Sequence, residues 1–125
     1  MNPSMDLEAL TKRAMAVRER LGDLERARAG RPWTKEEVMQ GFVGDVGDLM
    51  KLVMARSGLR SIEEVDRKLA HELSDCLWSV LVLAQLYGID LQKEFLATMT
   101  QIETSVAAKL SAHTAALSTS HQPRP

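Results

Sequence analysis

The chain has 125 residues, which is the length of a single domain with a modest core. Its formal net charge is −1 at pH 7, and without an excess of positive charge we expect no binding of long nucleic acid. The composition, 45% apolar, 26% charged and 4% aromatic, is typical of a soluble globular protein and favours helices over strands.

The single cysteine, Cys76, excludes an internal disulfide and a zinc site made of several cysteines. The first residues, MNPSMDLEAL, lack the basic and apolar regions of a signal peptide. The most apolar run, residues 76–86, is too short to span a bilayer. We therefore expect a cytoplasmic protein that does not associate with a membrane.

Helical periodicity begins close to the N-terminus. A first helix is predicted over about residues 4–27, and it ends before the Gly- and Pro-containing segment 28–32. A second helix begins at a capping box, Thr34 with Glu37, and ends near residues 57–58. Apolar residues recur every three or four positions in both helices and predict their buried faces. These residues are Leu7, Leu10, Ala14, Val17, Leu21 and Leu24, then Val38, Phe42, Val46, Leu49 and Val53.

Two more helices are predicted after that. The third begins at a second capping box, Ser61 with Glu64, and ends at residues 87–88. Asp90 then caps a fourth helix, and the polar residues 118–125 are expected to be a disordered tail. The predicted buried faces are Leu69, Leu73, Cys76, Val80 and Leu83, then Leu91, Phe95, Met99, Ile102, Val106 and Leu110.

This pattern predicts an all-α fold, in which four main helices form an antiparallel helical bundle within one domain over residues 1–117. Short connections favour antiparallel packing of successive helices. Because such long helices leave much apolar surface on so small a chain, we expect a homo-oligomer, either a homodimer or a homotetramer.

Four carboxylates stand out in the second and third helices. Asp45 and Asp48 are three residues apart, as are Glu72 and Asp75, so each pair shares one helix face. In an antiparallel hairpin, residues equidistant from the turn lie side by side. Both cross-helix pairings centre on residue 60, within one residue of the centre of the predicted turn. We therefore expect all four carboxylates at one level of the hairpin.

Four negative charges at this range require protonation, nearby cations or a divalent metal ion. The residues one turn away are mostly uncharged, with Lys51 and Lys68 as exceptions, and this favours a metal site. Oxygen ligands alone suit Mg²⁺ or Mn²⁺. The alternative is ordinary surface charge, which is the preferred interpretation of either pair taken alone.

A di-iron site is a competing metal hypothesis that the histidines test. Carboxylate-bridged di-iron bundles use Glu-x-x-His motifs. The three histidines, His71, His113 and His121, do not follow a glutamate at that spacing, so this site is excluded. We interpret His71 as a partly buried hydrogen-bonding residue that points away from Glu72.

Two stretches resemble the signatures of the MazG-like, all-α nucleoside triphosphate pyrophosphohydrolases. GDVGDLMKL is similar to their G-E-V-G-E-L motif, and HELSDCLWSVLVLAQLYGIDL is similar to E-L-x-D followed by an apolar helix and G-I-D-L. The resemblance covers roughly Trp33 to Ile102. It implies a helical bundle that assembles as a dimer or tetramer. It also implies Mg²⁺-dependent cleavage of an NTP or dNTP to the monophosphate and pyrophosphate.

The same resemblance implies the catalytic residues. The metal ligands would be Asp45, Asp48, Glu72 and Asp75, and one of these carboxylates would orient or deprotonate water. Both acids of the first motif are aspartates here instead of glutamates, and Gly44 stands where some members carry a further glutamate. A lysine and an asparagine of the last helix, which contact the nucleotide in many members, align with Thr98 and Ile102.

Three residues are predicted to bind the substrate. Trp33 resembles a tryptophan that lies near the base in related enzymes, although a role in fixing the loop onto the second helix is an equal alternative. Lys51 follows the first motif and is a candidate phosphate contact, with a solvated cation as the alternative. Trp78, one turn after Asp75, is a candidate for lining the same pocket, and a core position is its alternative.

The sequence thus predicts a metal-dependent nucleotide pyrophosphohydrolase that removes unwanted nucleotides. A second hypothesis is a catalytically degenerate relative that binds nucleotide and metal without turnover. A third is a structural helical bundle whose acidic residues are surface charge, for which Mg²⁺ would not raise the melting temperature.

Overall fold

The computed structural model describes residues 6–120, and within that range the chain forms four helices and no strand. Helix α1 spans Leu7–Ala29, α2 spans Lys35–Arg56, α3 spans Val65–Leu86 and α4 spans Leu91–Ser120. The prediction of an all-α fold with four main helices is confirmed.

The described residues fall into two compact units that divide between Ile89 and Asp90. The first unit contains α1, α2 and α3, and the second contains α4. Helix α4 continues to Ser120, past residue 118 where the tail was expected to begin, and residues 121–125 lie outside the described range. None of the helices within residues 6–120 combines the length and apolarity needed to cross a membrane.

Helix α1 has well-defined ends. The Asp6 side chain accepts a hydrogen bond of 2.9 Å from the Ala9 N–H, and Gly30 ends the helix in the left-handed conformation, with φ of 82°. A glycine tolerates this backbone conformation without steric cost. The predicted end lay two residues earlier, and the predicted start at residue 4 falls outside the described residues.

The capping box at the start of α2 is confirmed. The Glu37 N–H donates to Thr34 Oγ1, and the Thr34 N–H donates to Glu37 Oε1, both at 3.2 Å. These two bonds satisfy N–H groups that have no partner inside the helix. The helix ends at Arg56, so the predicted end near residues 57–58 is also confirmed.

The predicted capping box of Ser61 and Glu64 is wrong. Helix α3 begins at Val65, and Glu64 precedes it in the left-handed conformation, with φ of 53° and no side-chain capping bond. The Glu64 carboxylate instead accepts a hydrogen bond of 2.6 Å from Arg67 Nη2. Because the helix begins four residues after Ser61, Ser61 does not occupy the N-cap position and Glu64 does not occupy the third helical position.

Helices α2 and α3 form an antiparallel hairpin. Next to their connection, Arg56 Nε lies 2.9 Å from Asp66 Oδ1. Farther from the connection, Asp45 lies beside Glu72 and Asp75. Residue numbers therefore fall along one helix as they rise along the other. Helix α1 packs on α3, where the indole N–H of Trp78 donates to the Ala14 carbonyl at 3.1 Å.

The core of the first unit differs from the predicted buried faces. Among the residues that the structure describes, the buried apolar ones are Ala14, Val38, Leu52, Leu81, Val82 and Ala84. By contrast, Val46 is 45% exposed and Leu73 is 52% exposed, so their predicted burial is wrong. The reason is that acidic residues occupy core-facing positions of α2 and α3, which rotates the apolar residues beside them toward solvent.

The second unit begins at the predicted cap. The Lys93 N–H donates to Asp90 Oδ1 at 3.2 Å, and the Glu94 N–H donates to the Asp90 carbonyl at 3.0 Å. Most of the apolar face of α4 is exposed, including Phe95, Ile102, Val106 and Leu110. The predicted burial of these four residues is therefore wrong.

Candidate metal centre

The α2 side of the site is built around Asp45, which lies in the core-facing stripe of that helix. Val38 and Leu52, which are buried, and Phe42 and Leu49, which are half-buried, share this face at intervals of three or four residues. Asp45 is half-buried where the periodicity calls for an apolar side chain. The packing of α2 on α3 therefore holds its carboxylate against α3.

The α3 side contributes Glu72 and Asp75 in the same way. Both residues are half-buried, and one turn later the same face continues with Cys76, which is half-buried, and Ser79, which is buried. Residues three or four apart share a helix face, so α3 presents a polar strip along part of its packed surface. Such a strip is costly in a core unless its members find partners.

Asp45, Glu72 and Asp75 form a compact group of carboxylates. Each offers one oxygen, and these oxygens lie within 4.8 Å of one another. The structure thus brings together three of the four acidic residues that were expected to meet. The carboxylate of the fourth, Asp48, is not in this group and lies 4.0 Å from Lys51 Nζ.

The electrostatics of the group are most unfavourable at Glu72. Burial raises the pKa of its carboxyl group, and a hydrogen bond with Asp45 and the negative charges of Asp45, Asp75 and Asp48 raise this pKa further. Its Oε1 atom is buried and has no hydrogen-bond partner among the described residues. A buried oxygen without a partner among three carboxylates is suited to coordinate a cation.

His71 is a neighbour of the carboxylate group. Its Nε2 atom lies 3.2 Å from Asp75 Oδ2, and its side chain is 74% exposed. This contact is an ion pair if the imidazole is protonated, and the predicted hydrogen-bonding role of His71 stays a prediction. Its predicted partial burial is wrong. His71 and Glu72 both line one cleft, and the prediction that the His71 side chain points away from Glu72 stays a prediction. The four-residue spacing from Asp75, on an exposed edge of α3, accounts for this position.

Cys76 borders the group without belonging to it. Burial raises the pKa of its thiol, and the negative charges of Asp45, Glu72 and Asp75 raise it further. The thiol therefore stays protonated at neutral pH, and a protonated thiol is a poor metal ligand. The ligands that the site offers are carboxylate oxygens.

A cleft of about 390 Å³ opens beside the carboxylate group on the α2–α3 hairpin. Asp48 and Glu72 line it together with the cations Lys51, Arg67 and Lys68. The floor includes Leu52, from the core, and Ile62, from the connection between the helices. We refer to this space as the hairpin cleft. The sequence indicated Lys68 as a cation one turn from the carboxylates, but it did not indicate that Lys68 and Arg67 line a cleft.

The Trp33 ring packs on α2 at Gly41, which lies one turn before Asp45. A Cβ atom placed on Gly41 would lie 3.2 Å from Cζ3 of the Trp33 ring, so the ring packs closely against that glycine. The Trp33 backbone is fixed by Glu25, which accepts its N–H at 2.8 Å, and by Arg18, which donates to its carbonyl at 3.1 Å. The ring itself is accessible, since the residue is 44% exposed.

Trp78 has a packing contact. Its N–H donates to Ala14, as described above, so the polar edge of the ring is occupied by α1. Its predicted role in lining the substrate pocket stays a prediction.

The part of the chain that carries the carboxylate group is similar to a known protein family. Residues 33–105 match the model of the MazG nucleotide pyrophosphohydrolase domain. The match covers more than half of the chain and includes all of α2 and α3, with the carboxylate group between them. The chain belongs to the MazG family. No curated protein and no solved structure matches the chain.

Membership in the MazG family agrees with the two sequence motifs. The matched region begins at Trp33 and contains the hairpin cleft as well as the carboxylates. The carboxylate group and the hairpin cleft both lie on the α2–α3 hairpin, within the first compact unit.

Proposed function

We propose that this chain is a divalent-metal-dependent pyrophosphohydrolase that converts an NTP or dNTP to its monophosphate and pyrophosphate, and so removes unwanted nucleotides. The observation that carries the proposal is the meeting of Asp45, Glu72 and Asp75 within 4.8 Å, in a MazG domain. Ordinary surface acids spread apart, whereas these three are held together in the packed hairpin.

The residues fit a hard divalent cation. The carboxylates of Asp45, Glu72 and Asp75, one of which carries the unpartnered Oε1 of Glu72, form an all-oxygen set, which suits Mg²⁺ and also Mn²⁺. Asp48 would complete the set from the rim of the hairpin cleft. When bound, such an ion polarises phosphoryl oxygens and offsets the negative charge that the carboxylates and the nucleotide bring together.

In the proposed reaction, a water oxygen forms a bond to the α-phosphorus, and the bond between the α-phosphorus and the oxygen that bridges to the β-phosphate breaks. Pyrophosphate leaves, and one proton of the water passes to a carboxylate of the site. The packed hairpin fixes these carboxylates in position before substrate arrives, which lowers the entropic cost of the reaction.

Substrate binding is proposed to involve Trp33 and Lys51. The exposed ring of Trp33 offers a stacking surface to a nucleobase, one turn from Asp45. Lys51 lines the hairpin cleft and offers its ammonium group to phosphate. We further propose that the protein is a homodimer or homotetramer, because apolar side chains are exposed on α2, α3 and α4.

The proposal is tested with a panel of NTPs and dNTPs in Mg²⁺ or Mn²⁺, in which pyrophosphate and phosphate release are measured separately. We expect pyrophosphate release that falls by roughly 100-fold or more in Glu72→Gln. The control is Glu103→Gln, the same change at an exposed position of α4. Phosphate release, or equal turnover by wild type and Glu72→Gln, would contradict the proposal.

One observation favours a second function, a catalytically degenerate MazG module that binds nucleotide and metal without turnover. Asp48 lies outside the group formed by the other three carboxylates, so the ligand set is incomplete within the hairpin itself. Nucleotide binding that depends on metal, is lost in Glu72→Gln and occurs without pyrophosphate release from any substrate would support this function.

A further inference from the structure

The hairpin cleft is lined by three cations in addition to carboxylates, and the proposed metal site does not account for these cations. Its acidic side consists of Asp48 and Glu72, next to the proposed metal ligands. Its basic side consists of Lys51, from α2, and Arg67 and Lys68, from the first turn of α3. At about 390 Å³ it lies within the size range of small-molecule sites.

The three cations are incompletely neutralised by their neighbours. Lys51 is 4.0 Å from Asp48, which is the limit of an ion pair, and Arg67 uses one nitrogen on Glu64. Lys68 forms no ion pair within residues 6–120, although Glu72 is one turn away on the same helix. A guanidinium group has five N–H donors, so Arg67 retains donors for a ligand.

We propose that the hairpin cleft binds the β- and γ-phosphates of the substrate, and hence the pyrophosphate that leaves, through Lys51, Arg67 and Lys68. This inference rests on the proposed function for the position of the bond that breaks. Ammonium and guanidinium groups bind phosphate oxygens by charge-assisted hydrogen bonds, and the nearby carboxylates would repel those oxygens without a cation between them.

The order of groups along α2 supports this assignment. Gly41, under the Trp33 ring, comes one turn before Asp45, and Lys51 comes about one turn after Asp48. With a rise of 1.5 Å per residue, Gly41 and Lys51 are separated by about 15 Å along the helix axis. The stacking ring and the cations therefore lie on opposite sides of the carboxylates. A nucleotide bound with its base at Trp33 would direct its terminal phosphates into the hairpin cleft.

The lining of the cleft also distinguishes pyrophosphate from a nucleobase. Its apolar residues are the aliphatic Leu52 and Ile62, and His71 is its one ring-bearing residue. That ring is already engaged with Asp75. A base would find no free aromatic face there, whereas three cations converge on the same space.

The test measures equilibrium binding of inorganic pyrophosphate in the presence of Mg²⁺, and separately of a nucleoside monophosphate, by titration calorimetry. We expect Lys68→Met to weaken pyrophosphate binding roughly tenfold, as loss of one charged hydrogen bond does, and to leave monophosphate binding within about twofold. Arg67→Met should behave alike, and Lys68→Arg should retain most of the affinity. Lys12→Met, an exposed lysine of α1 outside the cleft, is the matched control.

Because binding is measured without turnover, the inference and the proposed function can fail separately. If the methionine variants bind pyrophosphate more weakly but the wild-type protein hydrolyses no nucleotide, phosphate binding in the hairpin cleft is supported and the proposed hydrolase activity is contradicted. Active wild-type protein with unchanged pyrophosphate affinity in both methionine variants would overturn the inference. If the methionine variants instead lose affinity for the monophosphate, the nucleoside end lies in the cleft and the inference is overturned. A wild-type protein that does not bind pyrophosphate would also overturn it.

Discussion

At the scale of single residues, Glu72 shows how a carboxyl group can be held where its charge is disfavoured. Its burial and the charges of Asp45, Asp75 and Asp48 raise its pKa, and its buried Oε1 has no partner among the described residues. The same features that destabilise the metal-free protein would favour a bound cation. Stability and function therefore place opposite demands on this residue.

The raised pKa predicts a pH dependence in the absence of metal. Protonated Glu72 stabilises the fold; this contribution is fully present below the ordinary pKa of glutamate and is lost as pH rises through the raised value. In chelator, the melting temperature of wild type should therefore fall more than that of Glu72→Gln when the pH is raised from below the ordinary pKa of glutamate to neutrality. Thermal melts at both pH values measure the difference.

Glu103→Gln is the control for this pH experiment, since Glu103 is exposed on α4 and takes no part in the carboxylate group. It should follow the wild-type pH dependence. Parallel melting curves for wild type and Glu72→Gln would show that Glu72 carries no strain in the metal-free protein. Added Mg²⁺ should raise the wild-type melting temperature at pH 7 and have little effect on Glu72→Gln.

The sequence predicted the polar residues of the site better than it predicted their surroundings. Spacing and hairpin symmetry identified Asp45, Glu72 and Asp75 as neighbours, because the period of a helix and the reversal at a turn are fixed geometry. Asp48 was expected in the same group, but a side chain on the rim can turn toward Lys51 instead. Backbone spacing does not determine that choice of rotamer.

At the scale of helices, the ends were predicted well where local chemistry decides them. The capping box of Thr34 and Glu37 forms although Glu37 also pairs with Arg31. The same pattern failed at Glu64, because α3 begins only at Val65 and Glu64 precedes the helix in the left-handed conformation. Of the apolar stripe predicted for α2, Val38 is buried and Phe42 and Leu49 are half-buried as expected. Val46 and Val53 are exposed, because the core face continues one position earlier, through Asp45 and Leu52.

Helix α2 contains glycines at positions 41, 44 and 47, which weaken a helix interior. A Cβ atom on Gly47 would meet nothing within 4 Å, whereas one on Gly41 would crowd the Trp33 ring. We therefore expect Gly47→Ala to stabilise the protein by about 0.5–1 kcal/mol. Gly41→Ala should gain less and should shift the tryptophan fluorescence, because it displaces Trp33. Chemical denaturation followed by fluorescence measures both effects.

Gly44 is an internal control for that comparison, since a Cβ atom there would also meet nothing within 4 Å. Gly44→Ala should match Gly47→Ala in stability. If Gly47→Ala is instead destabilising while Gly44→Ala is not, a second surface must pack against α2 at Gly47. The glycine would then be required by assembly and not merely tolerated by the helix.

At the scale of the whole molecule, the exposed apolar residues are too regular to be incidental. On α2 they recur every three or four positions and form one exposed stripe. This stripe is rotated by about 100° about the helix axis from the stripe that faces the core. This stripe consists of Met39, Val43, Val46, Met50 and Val53, all at least 44% exposed. A contiguous apolar face of this kind marks an association surface, and it also explains why the core of the single chain is small.

We expect this stripe to be covered by a second copy of the chain, so that the protein is a dimer or tetramer in solution. Val43 is 60% exposed at the middle of the stripe, and Val43→Lys places a charge there without disturbing the core of the monomer. The variant should shift toward a lower mass in light scattering coupled to size exclusion, while its helical circular dichroism is retained. Gln40→Lys adds the same charge at an exposed position outside the stripe and should leave the mass unchanged. A wild-type protein that stays monomeric at all concentrations would contradict the prediction, and a loss of helicity in Val43→Lys would assign the stripe to packing within one chain.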